Sequence, residues 1–285
     1  MTALARAFVL IVVGLTGDPE HATLFDKWGA ALASTAGQLG IPADRIQHLK
    51  GDPTRADVEQ ALGRIGKAAG ADDVLFIVLV GHGTFDGRVP KFNLKGPDLA
   101  PADLEAMLKG VPARRLVLVN TTSASGPFKD AMAGPNRTIV TATRNGAEQF
   151  ATLFGGYFVD AFGSEGADLD KNRRVTVQEA YEYAQREVAK AYERTGTLAT
   201  EHSVIDDTGK LAAVFALGTM GGEAQSADPK VRALQVERRA LEQQVESLKV
   251  LKGSMDPAKY EAELERLVTA LALKTRELRQ AEAGK

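Results

Sequence analysis

The sequence predicts an α/β protein: a doubly wound, mainly parallel sheet followed by a C-terminal antiparallel α-helical hairpin. Apolar, β-branched runs of five to seven residues alternate with amphipathic stretches over the first two thirds of the chain. That alternation is typical of parallel strands joined by right-handed helical crossovers. Near the C-terminus the pattern changes to apolar residues spaced as in a coiled coil.

The strands are predicted from continuous apolar runs, which are typical of strands buried on both faces. They lie at 8–13, 45–49, 74–80, 115–119 and 138–143. A β-hairpin is predicted within 84–94, because Asp86-Gly87 supplies turn residues. Helices are predicted at 20–39, 54–69, 101–109, 150–162 and 176–194, with a short one after Gly126-Pro127.

The domain boundaries follow from composition. Residues 1–220 form the α/β domain, and 221–229 is a Gly/Ser/Ala-rich linker. Residues 230–281 form the hairpin, which Gly253-Ser254 interrupts. The hairpin packs on itself or on the main domain, or it is an arm that binds a protein partner. The first interpretation is favoured because two short arms bury little surface. The apolar seam consists of Val231, Leu234, Leu241, Val245, Leu248, Tyr260, Leu264, Leu267, Leu271 and Leu278.

Composition excludes several classes of function. A formal net charge of −2 gives no general attraction to nucleic acid or to anionic membranes. The chain has no cysteine, which removes disulfides, thiolate metal sites and thiol catalysis. No apolar run approaches the roughly 20 residues that a membrane helix needs. The motifs G-x-G-x-x-G, G-x-x-x-x-G-K-[ST] and G-x-S-x-G are absent, which disfavours nucleotide-binding folds and α/β-hydrolases.

The N-terminus is compatible with two locations. Ala3-Leu4-Ala5 resembles the end of a signal-peptidase site, and a strand-like run begins soon after it. We expect a cytoplasmic protein for the chain as it stands, and an exported one if a leader has been removed.

Two strands end in residues that can carry chemistry. The run at 74–80 is followed by Gly81-His82-Gly83, and the run at 115–119 leads into Asn120-Thr-Thr-Ser-Ala-Ser-Gly126. Successive parallel strands are commonly neighbours, so both loops are expected at the same edge of the sheet. Ser123 and His82 would then form a minimal nucleophile–base dyad.

This pair of strand-and-loop motifs resembles the caspase/legumain family of cysteine peptidases. In legumain-like members the second strand ends in Glu/Asp-Ala-Cys-x-Ser-Gly. Aligning Ser125-Gly126 with that Ser-Gly places Ser123 at the cysteine and Thr122 at the alanine. The resemblance covers roughly residues 7–217. With its helical hairpin, the chain is similar to bacterial proteins of the legumain-like type.

The resemblance implies roles for further residues. His82 is the base, and the backbone N–H groups of Gly83 and Ser123 stabilise an oxyanion. Thr122, Thr141, Thr143 and Arg144 contact a peptide or protein substrate. The sequence does not identify a carboxylate that orients the histidine, although Asp86 is a candidate.

The serine departs from the family pattern. A thiol is a few per cent ionised at pH 7, whereas a serine hydroxyl must lose its proton during attack. Three interpretations remain open. A pseudopeptidase that binds peptides or assembles proteins is favoured over an active endopeptidase with a Ser123/His82 dyad. The third is a Cys-to-Ser variant of an active cysteine peptidase.

A second candidate site lies at 168–179. Asp168, Asp170, Asn172, Thr176 and Glu179 occupy positions 1, 3, 5, 9 and 12 of an EF-hand-like calcium loop. Position 6, where a glycine is expected, is Arg173. A cap for the following helix, with no cofactor, is therefore favoured over a calcium site.

The remaining polar groups are predicted to be structural. Glu201-His202 and Asp206-Asp207 lie in a polar stretch that ends in a surface turn at Asp207-Thr208-Gly209. Nothing in the sequence makes these side chains converge on a metal. His21 and His48 are predicted to be structural or surface histidines.

Overall fold

The computed structural model describes residues 6–220, 228–251 and 256–283. The described residues fall into two compact units, 6–220 in one and 228–251 with 256–283 in the other. Residues 221–227 of the predicted linker at 221–229 and the Gly253-Ser254 break lie outside the described residues, and Pro229 already belongs to the helix that follows.

The first unit is built on a six-stranded sheet of order β2-β1-β3-β6-β7-β8. Strands β1 to β7 of this sheet are parallel, and β8 runs antiparallel to β7 at the edge. A separate antiparallel hairpin, β4-β5, follows β3. This is an architecture of the caspase/legumain type, as the resemblance implies. The strands are β1 Ala7–Val13, β2 Ile46–Leu49, β3 Val74–Val80, β4 Gly83–Phe85, β5 Pro90–Phe92, β6 Arg115–Asn120, β7 Arg137–Thr141 and β8 Val204–Asp206.

Helices cover both faces of the sheet, because alternate residues of each central strand enter different cores. In β3, Phe76 and Val78 face one core, whereas Leu75 and Ile77 face the other. Helices α1, α5 and α6 pack on the first face, and α2, α3 and α4 on the second. Their bounds are α1 Pro19–Gln38, α2 Arg55–Ala68, α3 Pro101–Leu108, α4 Gly126–Met132, α5 Phe154–Ala161 and α6 Val177–Thr195.

Two predictions about elements need correction. The helix predicted at 150–162 begins only at Phe154, because Glu201 accepts the backbone N–H groups of Leu153 and Phe154. This contact comes from a distant segment, so no local signal marks it. The edge strand β8 was not predicted, since its three partly polar residues are ordered by pairing with β7.

The second unit is an antiparallel helical hairpin of α7 (Pro229–Leu251) and α8 (Pro257–Ala283). Val245 packs with Tyr260 and Leu267, and Lys274 reaches Glu237 of the other helix at 2.8 Å. Leu241, Leu264 and Leu271 of the predicted seam pack against this cluster, whereas the Leu248 side chain lies outside the described residues. None of the described helices is long and apolar enough to span a membrane. Binding of a protein partner by the hairpin stays a prediction.

Candidate active site

The two candidate loops meet at the carboxyl edge of the sheet. Strands β3 and β6 pair directly, in a register that sets Leu79 opposite Asn120. His82 follows β3 and Ser123 follows β6, so the chain delivers both residues to the same place. The neighbouring strand β7 brings Thr143 and Arg144 to that edge as well.

The His82 ring is held by a backbone carbonyl. Its Nε2 lies 3.1 Å from the carbonyl oxygen of Thr16, in the loop after β1. A carbonyl oxygen only accepts hydrogen bonds, so Nε2 carries the proton. In the neutral ring Nδ1 is then the acceptor. In the neutral ring the Nδ1 lone pair of His82 thus accepts no hydrogen bond from the described residues.

Burial and a nearby charge favour the neutral form of His82. Partial burial of the ring lowers the pKa of His82, and the positive charge of His21 lowers it further. The bond to Thr16 and the charge of Asp18 act in the opposite direction but are weaker. A neutral imidazole is the form that can accept a proton.

Ser123 is engaged with the backbone beside His82 rather than with the imidazole. The residue is only 5% exposed. Its Oγ donates a hydrogen bond to the carbonyl oxygen of Gly83, at 3.3 Å. Among the described residues no hydrogen bond joins the side chains of Ser123 and His82. The structure thus brings the two loops together, with the Ser123 hydroxyl bonded to the backbone of the His82 loop.

Close packing of the two loops explains the glycine at position 83. A Cβ at Gly83 would collide with Thr122 Oγ1 and lie 2.5 Å from the Ser123 carbonyl oxygen. Any side chain there would push the Ser123 loop away from the β4 backbone.

Two backbone N–H groups near Ser123 remain free to bind an acceptor. Asn93 N–H donates to the His82 carbonyl at 3.0 Å, so Gly83 and Phe92 form a non-hydrogen-bonded pair. The Gly83 N–H therefore points away from β5. The Ser123 N–H also has no hydrogen-bond partner in the described part of the chain. Backbone N–H groups without partners are rare in folded proteins, and such groups suit an oxyanion or a peptide carbonyl.

Residues outside the motif fix the shape of the Ser123 loop. Asn120 Oδ1 accepts the Thr122 N–H at 3.1 Å. Ala124 has a left-handed backbone (φ 51°), and its N–H donates to the Glu148 carbonyl at 2.7 Å. The Glu148 carboxylate in turn binds Arg144 and the His202 ring. The roles of Asn120, Glu148 and Thr16 were not predicted from the sequence. Glu148 and Thr16 act through their backbone carbonyls, which leave no signal in the residue type.

Three of the residues expected to contact substrate have buried side chains. Thr122, Thr141 and Thr143 are at most 1% exposed, and their hydroxyl groups are hydrogen-bonded internally. The Arg144 side chain is 59% exposed. A ligand can therefore reach the Arg144 side chain, but not the three threonines.

The Ser-Gly of the motif joins the Ser123 loop to the segment after β7. Gly126 N–H donates to Thr143 Oγ1 at 3.0 Å, and Thr143 N–H donates to Ser125 Oγ at 3.2 Å. Ser125 and Gly126 thus have structural roles beside Ser123.

Comparison with models of protein families matches residues 44–207 to the Peptidase C13 family. The match spans more than half of the 285 residues and includes both loops. The chain belongs to the Peptidase C13 family. No curated protein matches it in a sequence comparison.

In this Peptidase C13 member Asp86, the candidate for orienting His82, has another role. Its Oδ1 accepts the N–H groups of Arg88 and Val89 within the β4–β5 turn. Lys91 lies 3.6 Å from its other oxygen. The Thr16 carbonyl is the group that holds the histidine.

In the acidic loop at 168–179, carboxylate side chains accept hydrogen bonds from the backbone of the same loop. Oxygen atoms of Asp168, Asp170 and Glu179 lie within 4.8 Å of one another. Asp168 accepts the N–H groups of Asn172 and Arg173, the latter in a left-handed conformation (φ 66°). Thr176 and Glu179 form the capping box of α6. The cap predicted from the sequence is therefore present.

Glu201 is a buried helix cap rather than part of a surface stretch. It is 4% exposed, and burial raises its pKa. Its two oxygens accept the Leu153 and Phe154 N–H groups at 2.7 and 3.0 Å. His202 pairs with Glu148 through Nδ1 at 2.8 Å. The turn after β8 forms as predicted, with Asp206 accepting the Thr208 N–H.

Proposed function

We propose that this Peptidase C13 protein is a pseudopeptidase that holds a peptide in its groove without forming a bond to it. One observation supports this most strongly: the Ser123 hydroxyl donates to the Gly83 carbonyl and makes no hydrogen bond to His82. The serine proton therefore points to an acceptor that cannot act as its base.

The chemistry of serine supports the same conclusion. A thiol close to a histidine can ionise before it attacks, whereas a hydroxyl needs a base within hydrogen-bond reach during the attack. Serine peptidases supply that base and a group that orients it. In this chain the orienting carbonyl of Thr16 is retained, but the contact between hydroxyl and base is not.

The edge of the sheet beside Ser123 has features that suit a peptide. The N–H groups of Gly83 and Ser123 have no partner in the described residues, the two loops that carry them pack closely, and Arg144 is exposed at the same edge. Peptide carbonyls are natural acceptors for such N–H groups. Membership of a peptidase family supports a peptide or protein as the ligand.

A fluorophosphonate probe tests whether Ser123 is a nucleophile. The expected result is no adduct on the native chain in intact-mass measurements, because no base withdraws the hydroxyl proton. A serine peptidase run in parallel shows that the probe is active. An adduct located at Ser123 and lost in His82→Ala would overturn the pseudopeptidase proposal.

An active endopeptidase with Ser123 as nucleophile is the second candidate. A separate observation favours it: the bond from Nε2 to Thr16 leaves Nδ1 of His82 as the acceptor in the neutral ring, and burial lowers the pKa of His82. In that mechanism His82 takes the Ser123 proton and the two free N–H groups stabilise the oxyanion. The fluorophosphonate experiment separates the two candidates.

We infer that the acidic loop serves as the cap of α6, with calcium as the alternative. Both oxygens of Glu179 already accept N–H groups, from Leu169 at 3.0 Å and Thr176 at 2.9 Å. Calorimetric titration with calcium decides between them. Binding heat that disappears in Asp168→Ala would establish the calcium site.

A further inference from the structure

A second histidine, which takes no part in the proposed function, lies against His82. His21 is in the first turn of α1, beside the N-cap residue Asp18. Its Nδ1 lies 2.7 Å from Asp18 Oδ2, while Asp18 Oδ1 accepts the backbone N–H groups of Glu20 and His21. The helix cap therefore also fixes the imidazole of His21.

The His21 ring contacts the His82 ring directly. Their centroids are 4.7 Å apart, and the planes meet at 65°. Phe25, one turn further along α1, contacts both rings, at 5.4 Å from His21 and 5.1 Å from His82. On the other side Gly17, with φ 79°, lies beside the His82 ring without a side chain. The His82 ring thus sits between α1 and the loop that supplies the Thr16 carbonyl.

We propose that His21, held by Asp18, is a positioning residue for His82: it packs against the ring and favours its neutral form. This inference rests on the proposed function and deepens it. An uncharged His82 adds no positive charge to the place where the peptide would bind. His21 itself touches no ligand.

The charges around His82 support this assignment. In the described chain, the groups whose charges act on His82 are His21 and Asp18, both at the start of α1. The loop after β1 contributes the Thr16 carbonyl. The Ser123 loop contributes threonine, serine, alanine and glycine, which do not titrate. If both His21 and His82 were protonated, two positive charges would lie next to each other. Their repulsion therefore opposes protonation of His82.

NMR titration of the histidine rings in the full-length chain tests the proposal. His21→Phe keeps an aromatic ring against His82 but removes the charge, and His21→Gln is a smaller second variant. The midpoint of His82 titration is expected to rise by about half a pH unit to one unit in both. The control is His202→Phe, which removes a histidine that pairs with Glu148 instead. Its His82 midpoint is expected to equal that of the native chain.

The result that overturns the proposal is an unchanged His82 midpoint in folded His21→Phe or His21→Gln. A purely structural role for His21 would change the stability of the chain but not this midpoint. The titration needs no reaction at Ser123. A fluorophosphonate adduct would therefore overturn the proposed function while leaving the role of His21 to be decided by the NMR result.

Discussion

Ser123→Cys is expected to convert the chain into a peptidase. A thiol at position 123 would lie beside a neutral histidine whose Nδ1 is free to accept a proton. It would also lie beside two N–H groups that can stabilise an oxyanion. Cleavage of short fluorogenic peptides, absent in the native chain, is the measurement.

Two controls accompany this variant. Adding His82→Ala to Ser123→Cys is expected to reduce the rate by about 100- to 10,000-fold, the usual contribution of a general base. Ser125→Cys places a thiol two residues away at a buried position bonded to Thr143, and is expected to be inactive. A folded Ser123→Cys protein without activity would contradict a site in which His82 and the two N–H groups are positioned for catalysis. Cleavage by the native chain would contradict the pseudopeptidase proposal itself.

Gly126→Ala is expected to have the largest effect on stability among substitutions near the site. A Cβ there would collide with the backbone of Arg144 and Asn145, which cannot move aside as a flexible side chain could. Overpacking of this kind costs about 3 kcal/mol. For a domain of this size the melting temperature should fall by about 6–12 °C.

Gly63→Ala is the matched control, since it makes the same change where there is room. Gly63 lies inside α2, and a Cβ would meet nothing within 4 Å. Alanine favours the helix over glycine, so this variant should be more stable by about 0.5–1 kcal/mol. Thermal unfolding of both variants checks the pair. An unchanged melting temperature for Gly126→Ala would show that the segment after β7 does not pack closely on the start of α4.

The sequence was sufficient for the fold because the central strands are unbroken apolar runs. β3, for instance, is buried along its whole length and reads as a strand without ambiguity. Elements that depend on distant partners were not predictable in the same way. The start of α5 is set by Glu201, almost fifty residues further along the chain, and β8 exists through its pairing with β7.

The sequence predicted the two loops of the site, but not the groups that hold those loops in place. His82 and Ser123 follow apolar strands, so their arrival at one edge follows from strand order. The groups that orient them include the carbonyls of Thr16 and Glu148, which every residue type possesses. His21 was predicted to be a structural or surface histidine, because a sequence does not show that the first turn of α1 lies over the end of β3.

NMR titration of the native chain with a pool of short peptides tests the central claim most directly. If the groove binds a peptide without reacting, the backbone amide resonances of Gly83 and Ser123 shift and saturate as their free N–H groups gain acceptors. The amide of Gly63, on α2, serves as the internal reference and should not move. The mass of the chain and the peptides should remain unchanged. Cleaved peptides, or saturable binding that leaves the Gly83 and Ser123 amides unaffected, would contradict a non-covalent peptide-binding groove at Ser123.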